Sequence, residues 1–223
     1  MPKLRPDTQK ARREHILDAA EHCFARLGFH RTTMQDISRA AGVSLGALYV
    51  YFASKEDLIA GITGRDRAKL AEQLAAVSEA PDLMAALERV GEHYMIDEPR
   101  HKQQLVIDIG CESMRDGPVG EIFRSCDVFV LSQFEALFER ARQDGRIAPA
   151  LDSKTLAQII AVMGDGLFWR RGIDPGFDAK TLVPAVMALI RSLLAPSDND
   201  PAAAETITGP QSSDVRAVTR SRA

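Results

Sequence analysis

The sequence contains little of what secreted proteins, membrane proteins and most enzymes require. Its three cysteines are odd in number and widely spaced, so neither a disulfide framework nor a zinc site is indicated. No apolar run approaches the ~18 residues of a membrane-spanning helix, and the charged amino-terminal residues lack the apolar segment of a signal peptide. We find no nucleophile elbow, P-loop, dinucleotide-binding glycine motif or cluster of metal ligands. We therefore expect a cytoplasmic protein that is not an enzyme and that has no cofactor, no metal and no membrane partner.

Aromatic residues are also scarce, at 6% of the 223 residues, and alternating patterns of β-branched residues are rare. Ala and Leu are abundant, and long stretches contain neither Gly nor Pro. Because these features favour helices, the composition predicts an all-α fold. The periodicity of the apolar residues predicts about nine helices, including one at residues 8–27 and another at residues 82–96.

Charge is distributed unevenly along the chain. Residues 1–55 contain nine Lys and Arg against five Asp and Glu, a net charge of +4, so the remainder carries −7 to give the total of −3. A total of −3 argues against a protein that coats nucleic acid by bulk charge. A basic segment on an acidic chain instead suits local binding of phosphate groups.

The most informative stretch is residues 32–58, TTMQDISRAAGVSLGALYVYFASKEDL. It contains two short helical patterns separated by a glycine. The first helix can begin at either of two capping boxes, Thr33 with Asp36 or Thr32 with Gln35. This arrangement predicts a helix-turn-helix, in which the second helix enters the major groove of DNA.

Three residues shape the turn and the start of the second helix, which we place at residues 45–52. Gly42 permits a sharp turn, and Ser44 is a suitable N-cap whose helix end can also attract phosphate. Gly46 costs roughly 1 kcal/mol inside a helix relative to Ala. Close approach of the backbone to DNA is one reason to tolerate it.

The remaining residues of the second helix divide between two faces. Leu48 and Phe52 are four positions apart and can face the interior of the domain. Tyr49 and Tyr51 are then left on other faces, where a phenol can bond phosphate. The alternative for both tyrosines is partial burial within the domain, and the alternative for Lys55 is a solvated helix end.

The string GVSLGALYVYFASKEDL, preceded by TTMQDISRAAG, resembles the DNA-binding domain of the TetR family of bacterial regulators over about residues 8–62. The resemblance implies that Leu45 and Ala47 meet base edges and that other residues contact mainly phosphates. The full set of implied DNA contacts is Thr33, Ser44, Leu45, Gly46, Ala47, Tyr49, Tyr51 and Lys55.

The resemblance also implies a C-terminal helical bundle that binds a small effector and dimerises through its last two helices. We therefore divide the chain into a three-helix helix-turn-helix domain (residues 1–55), an effector-binding and dimerisation domain (residues 56–195) and a disordered tail (residues 196–223). The tail is too poor in large apolar residues to order itself.

Within the second domain, polar and aromatic residues are candidates for the effector site, although each can equally be exposed or structural. These candidates are His93, Tyr94, Asp108, Glu112, Phe129 and Trp169. Apolar residues of the last two predicted helices are candidates for the dimer interface, although they can equally complete a monomeric core. These are Ile160, Met163, Leu167, Val186 and Ile190.

The sequence thus predicts a ligand-responsive transcriptional regulator. The favoured interpretation is a repressor that binds a palindromic DNA operator as a homodimer and that a small-molecule effector releases. An activator of the same architecture is an alternative. A helical adaptor that does not bind DNA is a further alternative, but the basic segment argues against it.

Overall fold

The computed structural model describes residues 6–115 and 117–197. In this part of the chain the fold consists of nine α-helices and one π-helical turn. They are α1 (Pro6–Leu27), α2 (Met34–Ala40), α3 (Leu45–Tyr51), α4 (Lys55–Glu79), α5 (Leu83–Glu92), the π turn (His93–Asp97), α6 (Arg100–Ser113), α7 (Pro118–Gln143), α8 (Ser153–Ile173) and α9 (Ala179–Leu194). The described residues contain no strand, only an isolated bridge between Ile147 and Pro196. The prediction of an all-α fold is confirmed.

Six of the nine described α-helices begin where a polar side chain satisfies one of their first backbone amides. The predicted helix at residues 82–96 ends earlier than expected, at Glu92, and continues as the π turn. Side-chain N-caps are present at Thr33, Ser44, Ser54, Asp82, Asp152 and Asp178.

Two hydrophobic cores organise the helices. The first joins α1 to α3 with the start of α4, and it also receives Leu105, Ile109 and Val119 from α6 and α7. We call residues 6–54 the head. The second core lies among α4, α5, α7, α8 and α9, and we call residues 55–197 the body. The predicted domain boundary at residue 55 stays a prediction. Helix α4, which begins there, contributes to both cores, so the cores do not define a boundary.

The long helix α4 connects head and body without a break. Its first part adds Leu58 and Ile62 to the core of the head, and its later part adds Leu70 and Leu74 to the core of the body. Gly61 lets α4 approach α1 closely, since a Cβ atom there would lie 2.7 Å from Leu17 Cδ2 and 3.0 Å from Phe52 Cε1.

The start of the predicted tail is paired with the body. Ser197 N donates to Arg146 O at 3.0 Å, and Ser197 Oγ donates to Gly145 O at 2.7 Å. The rest of the predicted tail, residues 198–223, lies outside the described residues. No helix in the described part is both long and apolar enough to cross a membrane.

Candidate functional site

Hydrogen bonds of side chains to backbone fix the geometry of α2, the turn and α3. The capping box of Thr33 and Asp36 is present: Thr33 Oγ1 accepts from Asp36 N, and Asp36 Oδ2 accepts from Thr33 N, both at 3.1 Å. The Thr33 hydroxyl, which donates to Asp36 Oδ2 at 2.6 Å, and the Thr33 amide lower the pKa of the Asp36 carboxyl. Gly42 has φ of +61° in the turn, and Ser44 Oγ accepts from Ala47 N at 3.2 Å. The start of α3 is thus held at a fixed angle to α2.

The outer face of α3 is apolar and exposed. Leu48 and Phe52 are buried in the core of the head, as predicted. Tyr49 is 50% exposed and Leu45 is 38% exposed, and a Cβ atom at Gly46 would meet only open space. This face can therefore approach another surface closely.

Val50 is 81% exposed on the same helix, and sequence reasoning missed it. An isolated valine carries no chemical signal, and only its position next to Tyr49 could have identified it. Arg39 was missed in the same way, although it projects from the last turn of α2, where its only described partner is Asp36 at 3.5 Å.

Two predicted DNA contacts have structural roles as well. Tyr51 is half-buried and packs against the core of the head. The Lys55 ammonium donates to the carbonyl oxygens of Phe29 at 2.6 Å and His30 at 3.3 Å, and it lies 4.5 Å from the centre of the Phe29 ring. Lys55 thus holds the loop after α1, while DNA contact by either residue remains a prediction.

Asp108 and Glu112, both candidates for the effector site, lie where α6 meets the head. Asp108 Oδ2 accepts from Phe29 N at 2.9 Å, and Glu112 Oε2 lies 2.7 Å from His30 Nε2. The contact with His30, supported by Arg115, lowers the pKa of Glu112. Because of helical periodicity, this face of α6 points to the head and another face points into the body.

A cavity of about 380 Å³ lies within the body, between helices α4 to α9 and the π turn. Most of its lining is apolar. Of the six residues predicted for the effector site, Tyr94 lines the cavity. Four of the five residues predicted for the dimer interface also line it: Ile160, Leu167, Val186 and Ile190. The fifth, Met163, packs against the core of the body.

The other predicted effector residues, His93, Phe129 and Trp169, do not line the cavity. Phe129 stacks under the Arg67 guanidinium, whose carbon is 4.4 Å from the ring centre. Trp169 is exposed on α8, and His93 lies 2.9 Å from Lys69 Nζ. When a helix has several apolar sides, its sequence does not show which side faces a cavity. For this reason the predicted effector residues and the residues that line the cavity differ.

At one side of the cavity, a single lysine partly neutralises two carboxylates. Lys102 Nζ lies 2.8 Å from both Asp66 Oδ1 and Glu98 Oε1. Burial acts to lower the pKa of Lys102, but the two carboxylates outweigh it and raise the pKa. Burial, together with Glu98 and Asp66, raises the pKa of Tyr94 to about 12, and its hydroxyl donates to Gln73 at 2.9 Å.

Comparison with known proteins agrees with this geometry. Residues 16–62 match the family model described as bacterial regulatory proteins, tetR family. The transcriptional repressor BepR of Brucella suis biovar 1 (strain 1330) is 32% identical over 196 residues, which cover 83% of this chain and 93% of BepR. The chain belongs to the TetR family.

The structures of TetR-family relatives extend the match to the body. Salmonella enterica GusR has a TM-score of 0.70 and 26% identity, over 82% of this chain and 95% of GusR. SmeT in complex with triclosan shares the fold, with a TM-score of 0.71 and 24% identity over 85% of this chain and 94% of SmeT. As a TetR-family member with this helix-turn-helix, the protein is a transcriptional regulator.

Proposed function

We propose that this TetR-family regulator is a homodimeric repressor whose palindromic operator is released when a small molecule enters the cavity. The exposed apolar face of α3, held by the caps at Thr33 and Ser44, is the observation that carries this proposal. A short helix fixed in this way fits the major groove, while α2 crosses behind it. The name of BepR as a repressor supports the direction of regulation.

The proposed contacts with DNA divide into contacts with phosphates and contacts with bases. Thr33, Ser44, Tyr49, Tyr51 and Lys55 contact phosphates, where hydroxyls, a helix end and an ammonium are effective. Leu45, Gly46 and Ala47 reach base edges, with Val50 beside them. None of these four has a hydrogen-bonding side chain. Specificity therefore depends on thymine methyl groups, DNA shape and the spacing of two half-sites.

The proposed dimer interface is the outer surface of the last two helices. The apolar side chains exposed there are Val162, Trp169 and Ile173 on α8 and Leu182 and Leu189 on α9. Pairing these faces about a two-fold axis gives a four-helix interface and places two copies of α3 for half-sites ~34 Å apart. These exposed residues are neighbours, on the same helices, of the five residues predicted from the sequence, of which four line the cavity and Met163 packs against the core of the body.

The proposed coupling between cavity and DNA runs through α6. This helix lines the cavity with Lys102, Val106 and Ile109, and it contacts the head with Asp108 and Glu112. A ligand that fits the cavity best when α6 is displaced would move the head and favour a dimer with the wrong half-site spacing. The complex of SmeT with triclosan supports small-molecule binding by this fold.

Fluorescence anisotropy with the DNA flanking the protein's own gene tests the proposal. We expect salt-dependent, sequence-specific binding that Tyr49→Ala weakens at least about tenfold without dissociating the dimer. Tyr94→Phe, a tyrosine change in the cavity, should leave DNA binding unchanged. Absence of specific binding would contradict the proposal, and monomeric Tyr49→Ala would contradict the role of that residue.

A further inference from the structure

The charged groups that line the cavity are not balanced. Four carboxylates line it against two cations, Arg67 and Lys102, which gives a net charge of −2. Lys102 is shared by Asp66 and Glu98, so these three groups form a closed cluster. The cluster therefore keeps one negative charge, and the other belongs to the remaining carboxylates, which exceed Arg67 by one charge.

These carboxylates are Asp127 on α7 and Asp165 on α8. Within residues 6–115 and 117–197, neither side chain has a hydrogen bond or an ion pair. Both residues are exposed and both line the cavity, which places them at its mouth. Desolvation, followed by the negative charge of Asp127, raises the pKa of Asp165. Two carboxylates that interact unfavourably lack a positive partner.

Arg67 does not supply that partner. Its guanidinium lies over the ring of Phe129, with the carbon 4.4 Å from the ring centre, and it donates to Ser125 Oγ at 3.4 Å. Both contacts hold it against α7, and it forms no ion pair within the described part of the chain. A cation that enters from outside can approach Asp127 and Asp165 without displacing an existing salt bridge.

The rest of the lining suits the apolar part of such a ligand. Tyr94, Phe123, Phe134 and Phe168 place aromatic rings around the cavity, among many aliphatic side chains. The negative face of an aromatic ring attracts a cation, most strongly where water is excluded. An anion would meet two unpaired carboxylates, and a neutral ligand would leave them unpaired.

We propose that the cavity binds lipophilic cations, with the apolar or aromatic body of the ligand inside and its positive charge at Asp127 and Asp165. This proposal rests on the proposed function of the cavity as the effector site. It adds the chemical class of the effector: an organic ammonium, phosphonium or similar cation with a large apolar part. The cation supplies the positive partner that Asp127 and Asp165 lack among the described residues.

Two probes of the same shape and opposite charge provide the first test. Tetraphenylphosphonium and tetraphenylborate are both rigid and aromatic, so isothermal titration calorimetry compares charge at nearly constant apolar surface. We expect tetraphenylphosphonium to bind the dimer at least about tenfold more tightly than tetraphenylborate. Equal affinity, or tighter binding of the anion, would overturn the proposal.

Charge-neutralising variants test whether the preference for a cation comes from Asp127 and Asp165. Asp127→Asn with Asp165→Asn should weaken binding of tetraphenylphosphonium at least about tenfold and leave or improve binding of tetraphenylborate. Glu135→Gln is the matched control, because Glu135 is an exposed acid two turns further along α7 that does not line the cavity. If the double variant binds tetraphenylphosphonium like the unmodified protein, the carboxylates do not recognise the cation.

Operator release, measured with the same ligands, separates this inference from the proposed function. Binding of tetraphenylphosphonium that depends on Asp127 and Asp165 but leaves the operator bound would support the cation site and contradict its role as an effector site. Operator release by both probes with equal potency would support the effector role and contradict the charge preference.

Discussion

The head and the body use their polar side chains in different ways. Thr33 and Ser44 satisfy backbone amides of the head, and Lys55, at the start of α4, satisfies two backbone carbonyls of the head. In the body, Asp127 and Asp165 stand at the mouth of a cavity with no partner in the described part of the chain. The head is thus built to keep one shape, whereas the body retains unfavourable charge that a ligand can relieve. Removing a polar group that holds the head should therefore destabilise the protein, whereas removing one of the two unpaired carboxylates should stabilise it.

The largest expected effect comes from the place where head and body share α4. Gly61→Ala adds a Cβ atom against the buried side chains of Leu17 and Phe52, and we expect the free energy of unfolding to fall by about 1–3 kcal/mol. Gly64→Ala is the matched control on the same helix, because its Cβ atom meets nothing within 4 Å. There the helix should gain up to about 1 kcal/mol. Urea denaturation measures both changes, and equal effects would contradict close packing at Gly61.

A change at Lys55 tests whether a residue that stabilises the loop after α1 also contacts a DNA phosphate. Lys55→Met removes two hydrogen bonds to carbonyls, so we expect unfolding in urea to become easier by about 1–2 kcal/mol. Loss of one phosphate contact should also reduce the slope of log Kobs against log[salt] by about 1. A loss of stability with an unchanged slope would show that Lys55 serves only the loop.

The contrast between head and body also explains which parts of the structure could be predicted from the sequence. The signals of the head are local: a capping box that spans four residues, a glycine and an N-cap define α2, the turn and α3. Leu48 and Phe52 were assigned correctly because a short helix of the head has one buried side. Val50 was missed because exposure of a valine follows from tertiary packing, which its residue type does not indicate.

The cavity depends on contacts between distant helices, and for this reason the sequence identified little of it. Helix α6 packs against the head, the cavity and α8 at once, so polar residues on it have several possible destinations. Asp108 and Glu112 point to the head, whereas Lys102 points to the cavity. Likewise, Ile160 and Ile190 are candidates for the dimer interface or for a monomeric core, and they line the cavity.

A smaller effect is expected from Val50, which tests whether the exposed face of α3 reads bases. Val50→Ser should weaken specific operator binding by about 1 kcal/mol, because it removes apolar contact with a thymine methyl group. The melting temperature should not fall, since the side chain is 81% exposed. Val128→Ser changes an exposed valine on α7 and is the matched control. Equal operator affinity of the two variants would show that Val50 does not contact a base.

The smallest expected effect, an increase in stability, comes from Asp165. Its pKa is raised in the folded protein, so the contribution of this group to stability is present at low pH and is lost as pH rises through the folded pKa. Asp165→Asn should therefore raise the melting temperature of the ligand-free protein at pH 7, and the gain should shrink toward acidic pH.

Glu139→Gln is the opposite control in the body, because hydrogen bonds, chiefly from Ser153, lower the pKa of Glu139. Its stabilising contribution is present at neutral pH and is lost as pH falls, so this variant should melt lower at pH 7. Thermal melts at one protomer concentration compare the two variants. If Asp165→Asn also melts lower, its carboxylate has a stabilising partner, and the body does not hold the unfavourable charge on which cation recognition depends.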